Sequence, residues 1–238
     1  MNSLFIVTSA LHTKHGIYSS EERLNQTLET LYSVRKHLPD ARILLCECSG
    51  KKGISGAEAE QLKPHVNGLF NYHDDKQVQD IYNSTDNWDI VKSYTELTVF
   101  GKTLDFILNQ QPHLLNGIDR VFKLSGRYRL NDAFNIDQFA GDNYIFANRR
   151  NSQFPPQVTN GLGEQLMSRL WSWPANRTSL VFYRYTLMNE DFVGSINRGH
   201  YRDIEHLLFK YFSGPFLQEI PTIGVEGNLG PNGILVQD

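Results

Sequence analysis

The stretch IDRVFKLSGRYRL, residues 118–130, carries charge where a β-strand is usually apolar. Val121, Phe122 and Leu124 supply the strand signal. Alternation then places Lys123, Ser125, Arg127 and Arg129 on one face and Phe122, Leu124, Gly126 and Tyr128 on the other. An unpaired charge inside a strand costs several kcal/mol, so the lysine needs a partner or a wet cleft. Cations at alternate positions around a glycine make a cradle for an anion such as a diphosphate. The same pattern also fits a sheet edge facing water, where Lys and Arg discourage edge pairing.

The flanking sequence decides between these readings. Leu4–Ser9 is a short apolar run with Ile6 and Val7 at its centre, which predicts a buried strand. Ser19 and Glu22 form a capping-box pattern after the loop LHTKHGIYSS. Leu24, Leu28, Leu31, Val34 and Leu38 then recur at helical spacing until Pro39-Asp40. A second strand is expected over Ala41–Cys48, a short helix over Ala57–Lys63 and a third strand over Gly68–Tyr72. Asp89–Gln110 reads as a long helix with Leu97, Phe100, Leu104, Ile107 and Leu108 as its apolar stripe. With the charged strand fourth, this rhythm predicts an α/β fold with a mostly parallel sheet and helices on both faces.

The second half is less regular. Asn143–Asn148 and Leu180–Tyr185 read as strands, Gly163–Leu170 as a helix, and Arg202–Phe212 as an amphipathic helix through Ile204, Leu207, Leu208 and Tyr211. The tail IPTIGVEGNLGPNG is rich in turn residues and is expected to fold back over the site. One domain, 1–238, is expected.

A net charge of −3 argues against bulk binding to nucleic acid or an anionic membrane. The only cysteines, Cys46 and Cys48, are too close for an ordinary disulfide and too few for a zinc site, so buried thiols in a reducing compartment are expected. MNSLFIVTSAL lacks a basic leader and is too short for a membrane span, which predicts a soluble cytoplasmic protein with no stable membrane insertion.

In open parallel sheets ligands bind at the carboxyl ends of the strands. Here those ends read Thr8-Ser9, Glu47-Cys48-Ser49, His73-Asp74-Asp75 and Ser125-Gly126-Arg127, all polar. Glu47 is placed to accept hydrogen bonds from a ribose or a base. The turn TSALHTKHG has no glycine-rich dinucleotide fingerprint, and no GxxxxGK(S/T) motif is present.

FIVTSA, RLNQTLETLYSVRKHLPDARILLCECS, SYTELTVFGKTLDFIL and DRVFKLSGRYRL together resemble the layout of GT-A glycosyltransferases over about residues 3–148. The resemblance implies a GT-A-like fold, with 1–148 binding a nucleotide-sugar donor and 149–238 serving the acceptor. It implies transfer of a hexosyl or pentosyl group from a nucleotide-diphosphate sugar, UDP-sugar favoured, to a glycan or other hydroxyl. Thr8, Ser9, Glu47 and Ser49 would then lie near the nucleoside, and Lys92 would reach the phosphates. The family holds a divalent cation (Mn or Mg) through a DXD motif, and that position reads Ser125-Gly126-Arg127 here. Metal use therefore stays open: Lys123 and Arg127 are expected to offset diphosphate charge directly, with Asp74, Asp75 and Asp132 as substitute ligands.

The resemblance also implies an acidic base late in the chain near a helix start, and HYRDIEHLLFKYF offers Asp203 and Glu205. His12, His15 and His200 are candidates for phosphate or acceptor contacts. Trp171, Trp173 and Tyr183 are candidates for sugar stacking, with core packing as their alternative. Two other readings use the same residues. One is a noncatalytic module binding a nucleotide or glycan. The other is a nucleic-acid enzyme using Arg127, Arg129, Arg149 and Arg150, against which the acidic net charge counts.

Overall fold

The computed structural model describes residues Met1–Asp238. Strand β1 (Ser3–Ser9) is buried along its whole length. Helix α1 (Ser20–His37) starts at Ser19, whose Oγ accepts the Glu22 N–H at 3.2 Å while the Glu22 carboxylate accepts the Ser19 N–H at 2.7 Å. This is the reciprocal cap that the spacing predicts. Then come β2 (Arg42–Glu47), α2 (Gly56–Leu62), β3 (Gly68–Asn71), α3 (Lys76–Ser84) and the long α4 (Trp88–Asn109). After β4 (Arg120–Ser125) and β5 (Tyr128–Leu130) the chain forms β6 (Tyr144–Ala147) and the short strands β7 (Arg150–Asn151) and β8 (Glu164–Gln165). It ends with β9 (Leu170–Pro174), α5 (Thr178–Asn197), α6 (Ile204–Phe212), β10 (Leu217–Ile220), β11 (Val225–Asn228) and β12 (Leu235–Gln237).

Seven strands form one sheet in the order β3-β2-β1-β4-β9-β6-β10. Only β9 runs antiparallel to its neighbours, β4 and β6. Alternation along the strands feeds two apolar layers. Leu4, Ile6, Leu44 and Val121 pack with α4, α5 and α6, whereas Phe5, Val7, Ile43 and Phe122 pack with α1. Cys46 and Cys48 are free and buried.

The expected charged strand is interrupted. β4 ends at Ser125, and β5 joins a separate sheet in the order β12-β11-β5. The break falls at Gly126, whose N–H donates to the Thr8 carbonyl at 2.7 Å. A Cβ there would lie 3.1 Å from that carbonyl oxygen and 3.2 Å from the Ser9 Cβ, so a larger residue would need the end of β1 to give by a few tenths of an ångström. Arg129 consequently leaves the Lys123 face and pairs with Glu226 at 2.7 Å on the surface.

Two further expectations are overturned. Leu180–Tyr185 lies inside α5, where Val181, Tyr185, Met188 and Phe192 are buried at helical intervals. Its β-branched and aromatic residues mimic a strand, but packing against α4 selects the helix. Gly163–Leu170 is not a helix; it contains β8 and the approach to β9.

Trp171 and Trp173 are core residues of β9, fully buried and unable to stack on a sugar. Trp171 lies parallel to Phe146 with ring centroids 4.9 Å apart. Trp171→Ala should cost about 3–5 kcal/mol, read as a lowered urea midpoint at unchanged slope. Tyr183, by contrast, is exposed on α5. The tail does fold back: β11 pairs with β5, and the Gly230 carbonyl accepts the Ile17 N–H at 3.2 Å.

Candidate active site

The parallel register aligns the ends of β1 and β4, so Thr8 lies beside Ser125. Lys123 is fully buried, and its Nζ donates to Ser125 Oγ and to the Ser168 carbonyl, each at 2.6 Å. It pairs with Glu96 Oε1 of α4 at 2.5 Å. Thr8 Oγ1 donates to the same carboxylate at 3.2 Å. Burial opposes ionisation of Glu96, but Lys123, with Lys92 and Thr8, outweighs it and holds the carboxyl below its ordinary range. Lys123 therefore has its charge met within the protein and is a positioning residue, not a free counter-charge for a ligand. Glu96 was not singled out from sequence. Its spacing of four from Lys92, beside the apolar stripe of the long helix, is the signal that was available.

Ser168 carries the network onward. Its hydroxyl donates to Glu205 Oε1 at 2.6 Å, so Lys123 and Glu205 are both fixed through one serine. Glu205 lies in the first turn of α6 and is half-buried.

Asp203 is the N-cap of that helix. Its Oδ1 accepts the His206 N–H at 2.9 Å and lies 2.7 Å from His206 Nδ1, and its Oδ2 accepts from Gln165 Nε2 at 2.9 Å. Burial raises its pKa, but His206 outweighs burial and the net shift is downward. Asp203 is thus occupied in capping α6 and orienting His206, and of the expected pair only Glu205 retains the geometry of a base.

Lys92 and Asp89 complete this wall. Lys92 remains in contact with solvent and forms no ion pair within 4 Å, yet Glu205, followed by Glu96 and Asp203, raises its pKa against desolvation and Arg127. Asp89, which the sequence reading missed, is half-buried; desolvation raises its pKa, reinforced by Asp203 and Glu205 and opposed by Lys92 and Tyr201.

Glu47 is placed differently from its expectation. It is fully buried; Oε2 accepts from Ser9 Oγ at 2.5 Å, and Oε1 accepts the N–H groups of Leu11 and Ser49 at 2.9 and 3.1 Å. Burial raises its pKa, and these hydrogen bonds oppose the rise. Its oxygens are taken by the protein, so it braces the loop after β1 and does not face a nucleoside. Ser9 and Ser49 are buried in the same brace, with Ser49 Oγ donating to the His12 carbonyl.

The proposed metal ligands do not converge. Asp74 is exposed, Asp75 caps α3 and meets Lys102 at 2.9 Å, and Asp132 meets Lys36 in the last turn of α1 at 3.2 Å. No group of three or more His, Cys, Asp or Glu side chains is arranged to hold a metal ion. Asp74, Asp75 and Asp132 therefore offer a divalent cation no shared site at the end of β4. His12 is held by Ser20 and Glu58, while His15 and His200 are half-buried.

Two cations, Arg23 and Arg127, lie together near the ends of β1 and β4. Arg23 is only 6% exposed. Its Nη1 donates to the Ala10 carbonyl at 3.2 Å, and its Nε has no partner. Arg127 Nη1 is likewise buried and unpartnered. Burial foremost, and Arg127 next, pull the Arg23 pKa down to about 10. Gly230 of the tail packs against both guanidinium groups. The remaining arginines proposed for nucleic acid are neutralised, Arg129 by Glu226, Arg149 by Glu219 and Arg150 by Asp238. A cavity of about 360 Å³ beyond β6 is lined by Arg149 and Arg150, so its cations are already paired.

This is a GT-A-like fold. The galactosyltransferase LgtC, in complex with donor and acceptor sugar analogues, aligns over 92% of this chain and 73% of its own length, with TM-score 0.55 and 14% identity. Core-mannan synthase A (CmsA/Ktr4) from Aspergillus fumigatus, in its Mn/GDP form, aligns over 98% of this chain and 77% of its own, with TM-score 0.52 and 9% identity. At such identities the likeness establishes the fold. No protein-family model and no curated protein matches the chain. No helix is long and apolar enough to cross a membrane.

Proposed function

We propose that this chain is a glycosyltransferase that moves a sugar from a nucleotide-diphosphate sugar, UDP-sugar favoured, to a hydroxyl of an acceptor such as a glycan. The observation that carries the reading is a carboxylate, Glu205, oriented by Ser168, the residue whose carbonyl also anchors Lys123 of β4, together with two arginines, Arg23 and Arg127, that lack a carboxylate partner near the ends of β1 and β4. Ser168 occupies Glu205 Oε1, leaving Oε2 without a protein partner. In an inverting displacement the acceptor oxygen attacks the anomeric carbon as its bond to the phosphate oxygen breaks. Glu205 takes the hydroxyl proton, and the nucleoside diphosphate leaves with the electron pair. Glu205 is the charge that acts most strongly on Lys92, which makes that lysine a further cation available to this scheme. Thr8 and Ser125 hold the Glu96–Lys123 pair that sets the floor of the site.

The test is release of nucleoside diphosphate from UDP- and GDP-sugars, with and without simple glycoside acceptors. The reading expects release from at least one donor. Nucleotide binding with no turnover of any donor would instead leave a noncatalytic binding module on this fold.

A further inference from the structure

We propose that Arg23 and Arg127 form a binding site for a diphosphate group that works without a divalent cation. The proposal rests on the donor reading above and specifies how the charge of that donor is met. Arg23 projects from α1 onto the Ala10 carbonyl just after β1, and Arg127 lies two residues past the end of β4, so both guanidiniums meet beside Gly230. Neither forms an ion pair with a carboxylate within 4 Å, in contrast to Arg129, Arg149, Arg150, Arg169 and Arg202. The carboxylate whose charge acts on Arg23, Glu47, already accepts from Ser9, Leu11 and Ser49.

Two like charges held side by side, one of them nine-tenths buried, are unfavourable in the ligand-free protein. The arrangement becomes favourable when an anion lies between them. A guanidinium presents a planar fork of donors that matches phosphate oxygens, and the free Arg23 Nε and Arg127 Nη1 are donors of this kind. Gly230 lies against both arginines, and a Cβ at that position would meet Arg127 Nη1 and displace that guanidinium. A cationic side chain just after β4 supplies positive charge of the kind a metal would bring.

The experiment is calorimetric titration in EDTA with inorganic pyrophosphate, UDP, GDP and uridine, on wild type, Arg23→Gln and Arg127→Gln. Wild type should bind pyrophosphate and at least one of the two nucleotides, and each variant should bind them about 10- to 100-fold more weakly. Any affinity for uridine should be unchanged. Ligand-free Arg23→Gln should melt at the wild-type temperature or above it, because a repulsive buried charge is removed; a structural arginine would give a lower value. Pyrophosphate binding that depends on the arginines, with neither nucleotide binding more tightly, keeps the anion site and defeats the donor reading. Nucleotide binding that requires added Mn, or that both variants retain in full, keeps the donor reading and overturns the arginine site. Absence of any pyrophosphate or nucleotide binding overturns both.

Discussion

Replacing Glu205 with glutamine should lower the rate of sugar transfer by about 100-fold or more, while nucleotide affinity changes little. General-base catalysis by a positioned side chain typically contributes about 10²–10⁴-fold. The amide retains the size of Glu205 and an oxygen to accept from Ser168, so the loop to β9 keeps its hydrogen bond. What is lost is the ability to take a proton. The effect should appear in kcat, with KM for the donor near wild type, because in the proposed scheme Glu205 acts on the acceptor hydroxyl. Asp203→Ala serves as the contrast. Asp203 caps α6 and orients His206, so its loss should lower thermal stability by the 0.5–2 kcal/mol typical of a helix cap and affect turnover less than Glu205→Gln.

Replacing Lys123 with methionine should destabilise the protein by about 3–5 kcal/mol, the cost of breaking a buried pair from one side. Methionine fills the space but leaves Glu96 with only Thr8 as a close donor, because Lys92 lies beyond ion-pair distance. The double substitution Lys123→Met, Glu96→Leu should recover much of that loss, since apolar residues of similar volume often replace buried pairs at little net cost.

The pH dependence has a definite sign. The Glu96 pKa is lowered in the folded chain, so the pair contributes stability at neutral pH and above the unfolded-state value of about 4.3. That contribution is lost as pH falls through the folded-state pKa. In Lys123→Met the remaining influence on Glu96 is dominated by burial, which favours the protonated acid. The gap between variant and wild type should therefore narrow on acidification, and urea denaturation at a series of pH values reads it. A gap independent of pH would argue that the two side chains are not electrostatically coupled.

The parts legible in sequence are those fixed by neighbours in the chain. Ser19 with Glu22 marks the start of α1, and the apolar stripe through Leu97, Phe100 and Leu104 marks α4, because capping and helical period are local. The strand ends that form the cleft were legible for the same reason. Residues Leu180–Tyr185 misled because aromatic and β-branched residues suit a strand and a buried helix face alike, and contact with α4 decides. The fate of each charge was not legible. Glu47 ends the predicted strand, yet three donors from beyond that strand turn it into a brace. Lys123 announces itself as a buried cation, but its partner Glu96 is distant in sequence. Arg23 looks like any helical arginine until the loop after β1 and the tail at Gly230 enclose it.

The most direct test of the central claim is a thermal-shift panel of UDP, GDP and CMP and their sugars, run with EDTA and again with manganese. A cleft built for a nucleotide-diphosphate sugar predicts that at least one nucleoside diphosphate or its sugar raises the melting temperature, by an amount that grows with ligand concentration. A melting temperature unmoved by every nucleotide under both conditions would contradict the assignment of this site to a sugar-nucleotide donor.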